Sequence, residues 1–142
     1  MSSNIAIANS ISEINNCFPV MKELRSHLEL PDFIDRVHRQ QQLFNYQLAY
    51  LQVNEIVRAV AGFRISESLA WYKFLYVDDL VSSSDNRSQG YGSDLFNWLI
   101  EYARAESCQQ LTLDSGVQRF AAHRFYLRHR MEISSHHFAL HL

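Results

Sequence analysis

Cysteine is scarce in this chain, which carries only 2, Cys17 and Cys108, among its 142 residues. The two lie far apart, and neither belongs to a pair with the spacing of a metal site or a redox motif. The sequence therefore implies no disulfide framework, and both residues are interpreted as ordinary thiols of a reducing compartment.

An excess of basic residues is missing as well. Lys and Arg number 13 and Asp and Glu 15, which gives a formal net charge of −2. General nucleic-acid binding usually requires a clear positive excess on the domain. We therefore expect no nucleic-acid partner.

Long apolar runs are also absent. Residues Met1 to Ser12 have neither the basic start nor the continuous apolar stretch of a signal peptide. No run approaches the ~20 apolar residues that a helix needs to span a bilayer. We therefore expect a cytoplasmic protein that has no membrane partner.

The residues that are present suit a compact fold, since 47% are hydrophobic and 13% are aromatic. A chain of this length and composition can bury a core. Because no linker, repeat or low-complexity tract interrupts it, residues 1–142 are predicted to form a single domain.

Apolar spacing predicts the order of the secondary-structure elements. Ile11 to Leu30 should form one helix, or two short ones if Pro19 interrupts it, and Pro31 should open a second helix. Strands are predicted at Tyr46–Leu51, Val57–Ile65, Leu69–Val81, Leu111–Leu113 and Phe138–Leu142, with later helices at Ser93–Ser107 and Arg119–Arg130. This order predicts a mixed α/β domain, in which the strand at Leu69–Val81, apolar on both faces, should be central and covered on both sides.

A polar turn with two glycines links that central strand to the next helix. It reads Arg87-Ser88-Gln89-Gly90-Tyr91-Gly92 and leads into Ser93. Glycines let a backbone approach a ligand closely, and the amides at a helix N-terminus donate to phosphate oxygens. The turn suits a pyrophosphate, to which Arg87 could add a charge-assisted contact, although an isolated Gly-x-Gly can also be a simple turn. It is neither a nucleotide P-loop nor a dinucleotide fingerprint, since it has no Gly-Lys-Ser/Thr and no third glycine.

Three segments together resemble the GNAT acetyltransferase superfamily. The first is Arg-x-x-Gly-x-Gly, placed after Asp78-Asp79-Leu80-Val81 and before an amphipathic helix, as in the superfamily's acyl-CoA-binding motif. The others, Leu111 to Gly116 and Ala121 to Tyr126, resemble the next strand and the helix whose tyrosine faces the cofactor sulfur. The specific resemblance covers about Tyr76 to Met131.

This resemblance implies a fold and a cosubstrate. The fold would be a single-domain GNAT-like mixed, mostly antiparallel sheet with splayed central strands, flanked by helices. Acetyl-CoA would be the cosubstrate, with no metal. By position, the pantetheine arm would pair with Leu80, Val81 and Ser82, and the pyrophosphate would lie against Arg87, Ser88, Gln89, Gly90, Tyr91, Gly92 and Ser93.

The resemblance also implies direct acetyl transfer to a primary amine of a small molecule, peptide or protein. Tyr126 is our choice for the acid that protonates the departing thiolate, and it could alternatively be a core aromatic. Asp78 or Asp79 could deprotonate the amine directly or through water, and either could instead simply cap the end of the strand.

Two positions depart from the family pattern. Arg119 lies where many relatives carry an asparagine that touches the cofactor, so this contact is either altered or lost. Arg130-Met131 replaces the usual Gly-Phe at the end of the tyrosine helix. These departures leave open an alternative, a noncatalytic acyl-CoA-binding regulatory domain. A plain interaction domain is a weaker alternative.

The remaining candidate residues indicate no further chemistry. The 7 histidines show no ligand spacing, so no metal site is predicted, and Cys108 has no base near it in sequence. His136 or His137 could line the acceptor pocket, but an ordinary strand surface is favoured. A homodimer is expected only because members of the family commonly form homodimers.

Overall fold

The computed structural model describes residues 3–142, apart from the side chains of residues 86–88. The chain divides into two compact units, the first ending at Thr112 and the second running over Leu113–Leu142. The expectation that residues 1–142 form a single domain stays a prediction.

Five strands form one sheet. They are β1 (Ser3–Ile7), β2 (Tyr46–Val53), β3 (Ile56–Ser68), β4 (Tyr72–Ser82) and β5 (Gln110–Leu113), and they lie in the order β1-β2-β3-β4-β5. The pairings of β1 with β2, β2 with β3 and β3 with β4 are all antiparallel. The α/β class and the predicted mixed, mostly antiparallel sheet are confirmed.

In the described part of the chain, four α-helices and one short 3-10 helix accompany the sheet. They are α1 (Ile11–Leu24), α2 (Leu30–Leu43), the 3-10 helix (Ser84–Gln89), α3 (Tyr91–Ala105) and α4 (Phe120–Arg128). Within residues 3–142, no helix combines the length and the apolar character that crossing a bilayer requires.

The start of α1 is fixed by a capping box. The Ser10 hydroxyl accepts from the Glu13 amide at 3.1 Å, and the Glu13 carboxylate accepts from the Ser10 amide at 3.1 Å. The other oxygen of Glu13 accepts from the Tyr50 hydroxyl at 2.8 Å, which ties the helix to β2. The helix then continues through Pro19 without ending, and α2 begins with Pro31 in its first turn, as predicted.

The strands β2 and β3 form the predicted hairpin. Asn54 and Glu55 at its turn both have positive φ, at 51° and 64°, as a tight two-residue hairpin turn requires. The strand β1 was not predicted. It pairs along β2, with Ile5 opposite Leu51.

Both faces of β3 are buried. Val60 belongs to the apolar cluster that includes Ile14 of α1 and Val37 of α2. Phe63, which points to the opposite face, packs edge-on against Tyr102 of α3 with ring centroids 5.3 Å apart. The sheet is therefore covered by α1 and α2 on one side and by α3 on the other.

Two sequence-based expectations are wrong. The strand expected at Leu69–Val81 begins only at Tyr72, since Leu69 lies fully exposed in the β3–β4 connection. Along β4 only Leu75 and Val77 are buried, because β2 and β3 take the fully covered positions. No strand forms at Phe138–Leu142: residues 131–142 are neither helix nor strand, and Phe138 is 91% exposed. Alternating apolar residues make a strand only where a sheet edge pairs with them.

Candidate active site

The predicted turn brings the chain into α3 through Gly90. This residue ends the 3-10 helix and is the N-cap of α3, with φ 80° and ψ 11°, in the left-handed region. Only glycine adopts that conformation without strain. Gly90 has no side chain that could cap the helix, and a helix N-terminus of this kind suits an anion.

Two hydrogen bonds from backbone amides fix the start of the segment that leads to Gly90. The Ser83 amide donates to the Arg58 carbonyl of β3 at 2.8 Å, which extends the ladder beyond the end of β4. The Ser84 amide donates to the Glu23 carboxylate of α1 at 3.0 Å. Residues 83–93, which we call the glycine turn, are thus attached to both the sheet and α1. The side chains predicted for cofactor contacts at Arg87 and Ser88 lie outside the described part of the chain.

The three residues proposed to face the pantetheine arm close β4. Leu80, Val81 and Ser82 are half-buried and pair with Ala61, Val60 and Ala59 of β3. They therefore lie next to the glycine turn in both sequence and space.

A β-bulge interrupts β4 at the two predicted aspartates. Gly62 pairs with Asp79 and Phe63 with Val77, so Asp78 is an extra residue on β4. A bulge re-aims side chains, and here both carboxylates meet arginines. We call Arg25, Tyr46, Arg64, Asp78 and Asp79 the bulge cluster.

Asp78 is bound by a bidentate arginine. Arg64 donates from Nε and Nη2 to the two carboxylate oxygens, each at 2.9 Å. The same guanidinium lies over the Tyr76 ring, 5.2 Å from its centroid. Burial raises the pKa of the Asp78 carboxyl, although the hydrogen bonds and charge of Arg64 oppose this change.

Asp79 accepts from two donors that are distant in sequence. Arg25 Nε binds one carboxylate oxygen at 2.9 Å, and the Tyr46 hydroxyl binds the other at 2.7 Å. Burial and the charge of Asp79 raise the pKa of Tyr46 well above its ordinary value, so the phenol stays a donor.

The space for this contact is provided by Gly62. A Cβ on Gly62 would overlap the Tyr46 hydroxyl and the Asp79 carboxylate. Glycine is therefore required at this strand position by close side-chain approach, and not by its backbone angles.

Tyr46 also lines a cavity of about 460 Å³ in the first unit. The other lining residues are mostly amides and apolar side chains, with one carboxylate: Ile7, Asn9, Gln41, Asn45, Gln47, Ile65 and Glu106. This volume falls within the range of small-molecule pockets.

The second unit contains the predicted acid. Tyr126 lies on α4 with the Phe125 ring edge-on to it, the centroids 5.6 Å apart. Burial raises the pKa of the Tyr126 phenol, and the charge and hydrogen bond of Arg119 oppose this change. Tyr126 is therefore protonated at neutral pH, as an acid must be.

Arg130 stands where the family usually has glycine, but α4 still ends in the turn that such a glycine forms. The Met131 amide donates to the Tyr126 carbonyl at 3.1 Å and the Arg130 amide to the Leu127 carbonyl at 3.0 Å, which is a Schellman motif. Arg130 takes the left-handed position with φ 66°. A non-glycine residue there costs roughly 1 kcal/mol, but the turn is kept.

The thiols and histidines add no second chemistry. Burial raises the pKa of Cys17 to about 12 and also raises that of Cys108, which disfavours a thiolate nucleophile at either position. Among residues 3–142, no group of three or more His, Cys, Asp or Glu side chains is placed to hold a metal ion. His137 lies 3.6 Å from Asp114 in the second unit.

Comparison with models of known protein families identifies the family of this chain. The model of the Acetyltransferase (GNAT) family matches residues 8–130. The chain belongs to the GNAT acetyltransferase family. A relative, the "uncharacterized N-acetyltransferase YhdJ" of Bacillus subtilis (strain 168), is 35% identical over 109 residues, which make up 77% of each chain.

Solved structures share the GNAT fold. A GNAT family acetyltransferase of Staphylococcus aureus subsp. aureus USA300_TCH1516 superposes with a TM-score of 0.84 at 19% identity over 100% of both chains. AAC(6')-Iy, solved with the bisubstrate analogue CoA-S-monomethyl-acetylneamine, gives 0.85 at 9% identity over 100% of this chain and 99% of that chain.

Membership of the GNAT family identifies the class of reaction. The protein is an acyltransferase that transfers acetyl groups, and the family uses acetyl-CoA as cosubstrate. This finding favours an enzyme over the noncatalytic regulatory domain.

Sequence reasoning missed most of the bulge cluster. Arg25, Tyr46 and Arg64 belong to no local motif, and only the folded sheet brings them to the aspartates. Gly62 was the one available signal, since a glycine inside a strand pattern often marks a bulge or a close approach.

Proposed function

We propose that this GNAT enzyme acetylates a primary amine of a small molecule, peptide or protein by direct attack on acetyl-CoA. The observation that carries the proposal is the glycine turn, in which left-handed Gly90 opens α3 at the end of the 3-10 helix that follows β4. A helix N-terminus that begins at such a glycine suits an anion, which supports the proposal. The cytoplasmic location and the homodimer remain expectations.

The cosubstrate would be held mainly by backbone groups. Acetyl-CoA supplies the thioester when bound. The end of β4 would pair with the pantetheine arm through Leu80, Val81 and Ser82. The pyrophosphate would accept from the amides of Gln89, Gly90, Tyr91, Gly92 and Ser93. Arg87, Ser88 and Arg119 would add side-chain contacts.

Asp78 is the better of the two candidate bases. It is the bulge residue, its side chain is 23% exposed against 14% for Asp79, and burial raises its pKa toward the working range of a base. Arg64 would orient the carboxylate without removing its remaining lone pairs. Asp79 is the more buried of the two, and its donors Arg25 and Tyr46 come from two different parts of the fold, so it serves better as support.

In the proposed transfer, each bond that forms is matched by a bond that breaks. The amine nitrogen forms a bond to the thioester carbon while the bond from carbon to sulfur breaks. The amine proton passes to Asp78, directly or through water, and the departing thiolate takes the proton of Tyr126. Tyr126 carries its proton at neutral pH, as this role requires, and the raised pKa of the buried phenol makes it a weaker acid than an exposed tyrosine.

Thiol release from acetyl-CoA across an amine library tests the activity and supplies an acceptor. With that acceptor, Tyr126→Phe should lower kcat by about 100-fold, a typical loss for a general acid, while the acetyl-CoA Kd stays near the wild-type value. Tyr72→Phe is the matched control, since Tyr72 is 67% exposed at the start of β4. An unchanged rate for Tyr126→Phe over the working pH range would remove the acid role.

A further inference from the structure

One arginine from the α1–α2 connection holds both the backbone and a side chain of the β4 bulge. Arg25 directly follows α1 as its C-cap residue. Its Nη2 donates to the Asp78 carbonyl at 2.8 Å, and its Nε donates to the Asp79 carboxylate at 2.9 Å. A single guanidinium therefore spans two successive residues of the bulge.

This contact constrains the bulge where the sheet does not. A bulge residue lies outside the regular ladder, so its carbonyl needs another donor. Because the peptide unit is planar and trans, fixing the Asp78 carbonyl also fixes the direction of the Asp79 amide. The Tyr46 hydroxyl holds the other oxygen of Asp79, which leaves that side chain little freedom.

We propose that Arg25 is a positioning residue for acetyl transfer, which sets the geometry of the β4 bulge with Tyr46 as its second support. The inference rests on the proposed function, in which Asp78 is the base and the next β4 residues bind the pantetheine arm. Arginine suits this role because its planar fork presents two donors in a fixed geometry, whereas a lysine ammonium is a single point charge.

A purely structural role makes a different prediction. If Arg25 only tied α1 to the sheet, its loss would lower stability and leave the turnover of the folded enzyme unchanged. The glycine turn is held separately, through Ser83 and Ser84. A positioning role therefore predicts a loss of kcat with little change in acetyl-CoA affinity.

The experiment compares Arg25→Lys, Tyr46→Phe and the control Arg36→Lys, whose ion pair with Asp32 on α2 is exposed. For each full-length protein, kcat, acceptor KM, acetyl-CoA Kd, Tm and hydrogen exchange over residues 78–82 are measured. Arg25→Lys should lower kcat by between about 10- and 100-fold, because small misplacements of reacting groups are costly. Tyr46→Phe should lower kcat by about 10-fold. The acetyl-CoA Kd should stay within about twofold of wild type.

Hydrogen exchange separates this inference from the proposed function. Faster exchange over residues 78–82 in Arg25→Lys than in Arg36→Lys supports the part of the inference that Arg25 sets the geometry of the bulge, and it does so even if the wild type acetylates no amine, a result that would sink the proposed function and with it the role in transfer. Wild-type kcat in folded Arg25→Lys overturns the inference, and so does wild-type exchange over residues 78–82. If Arg25→Lys fails to fold, Tyr46→Phe decides, and wild-type kcat or wild-type exchange in that variant likewise overturns the inference.

Discussion

The glycine turn follows the two aspartates of the bulge cluster along the chain, yet the turn and the cluster are built in opposite ways. The turn uses contiguous residues and the left-handed backbone of Gly90. The bulge cluster joins side chains that are far apart in sequence, since 54 positions separate Arg25 from Asp79 and 33 separate Tyr46 from Asp79. A binding site for an anion can thus be local, whereas a site that orients a base depends on the whole sheet.

This difference predicts different responses to mutation. The turn should tolerate side-chain changes wherever the backbone angles and the space for phosphate are kept. The bulge cluster should tolerate few, since each oxygen and donor has a specific partner and an unmatched buried group carries a desolvation penalty.

The largest loss of activity is expected when the proposed base is replaced, and this loss distinguishes the roles of the two aspartates. Asp78→Asn should lower kcat/KM by about 100-fold, because the amide cannot accept the proton. In the wild type, activity requires the carboxylate and is lost as pH falls through the Asp78 pKa. Since burial raises that pKa, the acid limb should lie above the ordinary aspartate range, and the variant should lose this limb.

Asp79→Asn provides the matched comparison. It keeps the bulge and the Tyr46 contact but weakens the pairing with Arg25. Its loss of kcat/KM should be smaller, with the acid limb retained. An equal loss in the two variants, or a larger one at Asp79, would contradict the assignment of Asp78.

A smaller effect is expected on stability, from a substitution that breaks the bulge cluster. Gly62→Ala places a methyl group against the Tyr46 hydroxyl and the Asp79 carboxylate. It should lower the free energy of unfolding by about 1–3 kcal/mol, measured by urea denaturation. At Gly116 an added Cβ meets only the side chain of Gln118, which can move, so Gly116→Ala should change stability by no more than about 0.5 kcal/mol. Equal stabilities would show that Gly62 leaves room for a methyl group.

The sequence predicted the fold best where its signals are local. The helix after the turn, the β2–β3 hairpin and the mixed α/β class followed from spacing and turn chemistry, whereas the mixed, mostly antiparallel sheet was implied by the family resemblance. The start of β4 and the tail were mispredicted, because an apolar run does not show whether a partner covers it. Leu69 and Phe138 are both apolar, and both are exposed.

The same limit applies to the candidate site. Gly90 and its flanking residues were predicted because a helix N-terminus after glycine is a local feature. Arg25, Tyr46 and Arg64 were not, because their roles depend on the antiparallel register that brings them next to Asp78 and Asp79. Local motifs predicted the cosubstrate through the family resemblance that they carry. The residues that support the proposed base could be identified only from the structure.

The most direct test of the account is calorimetric titration of acetyl-CoA into the wild type, Gly92→Glu and Ala105→Glu. The first variant adds a carboxylate to the first turn of α3, and the second adds the same charge at its far end. We predict binding of one equivalent to the wild type and to Ala105→Glu, and affinity at least about tenfold weaker for Gly92→Glu because of like-charge repulsion. No binding to the wild type, or equal affinity in all three proteins, would contradict the placement of the pyrophosphate at the glycine turn.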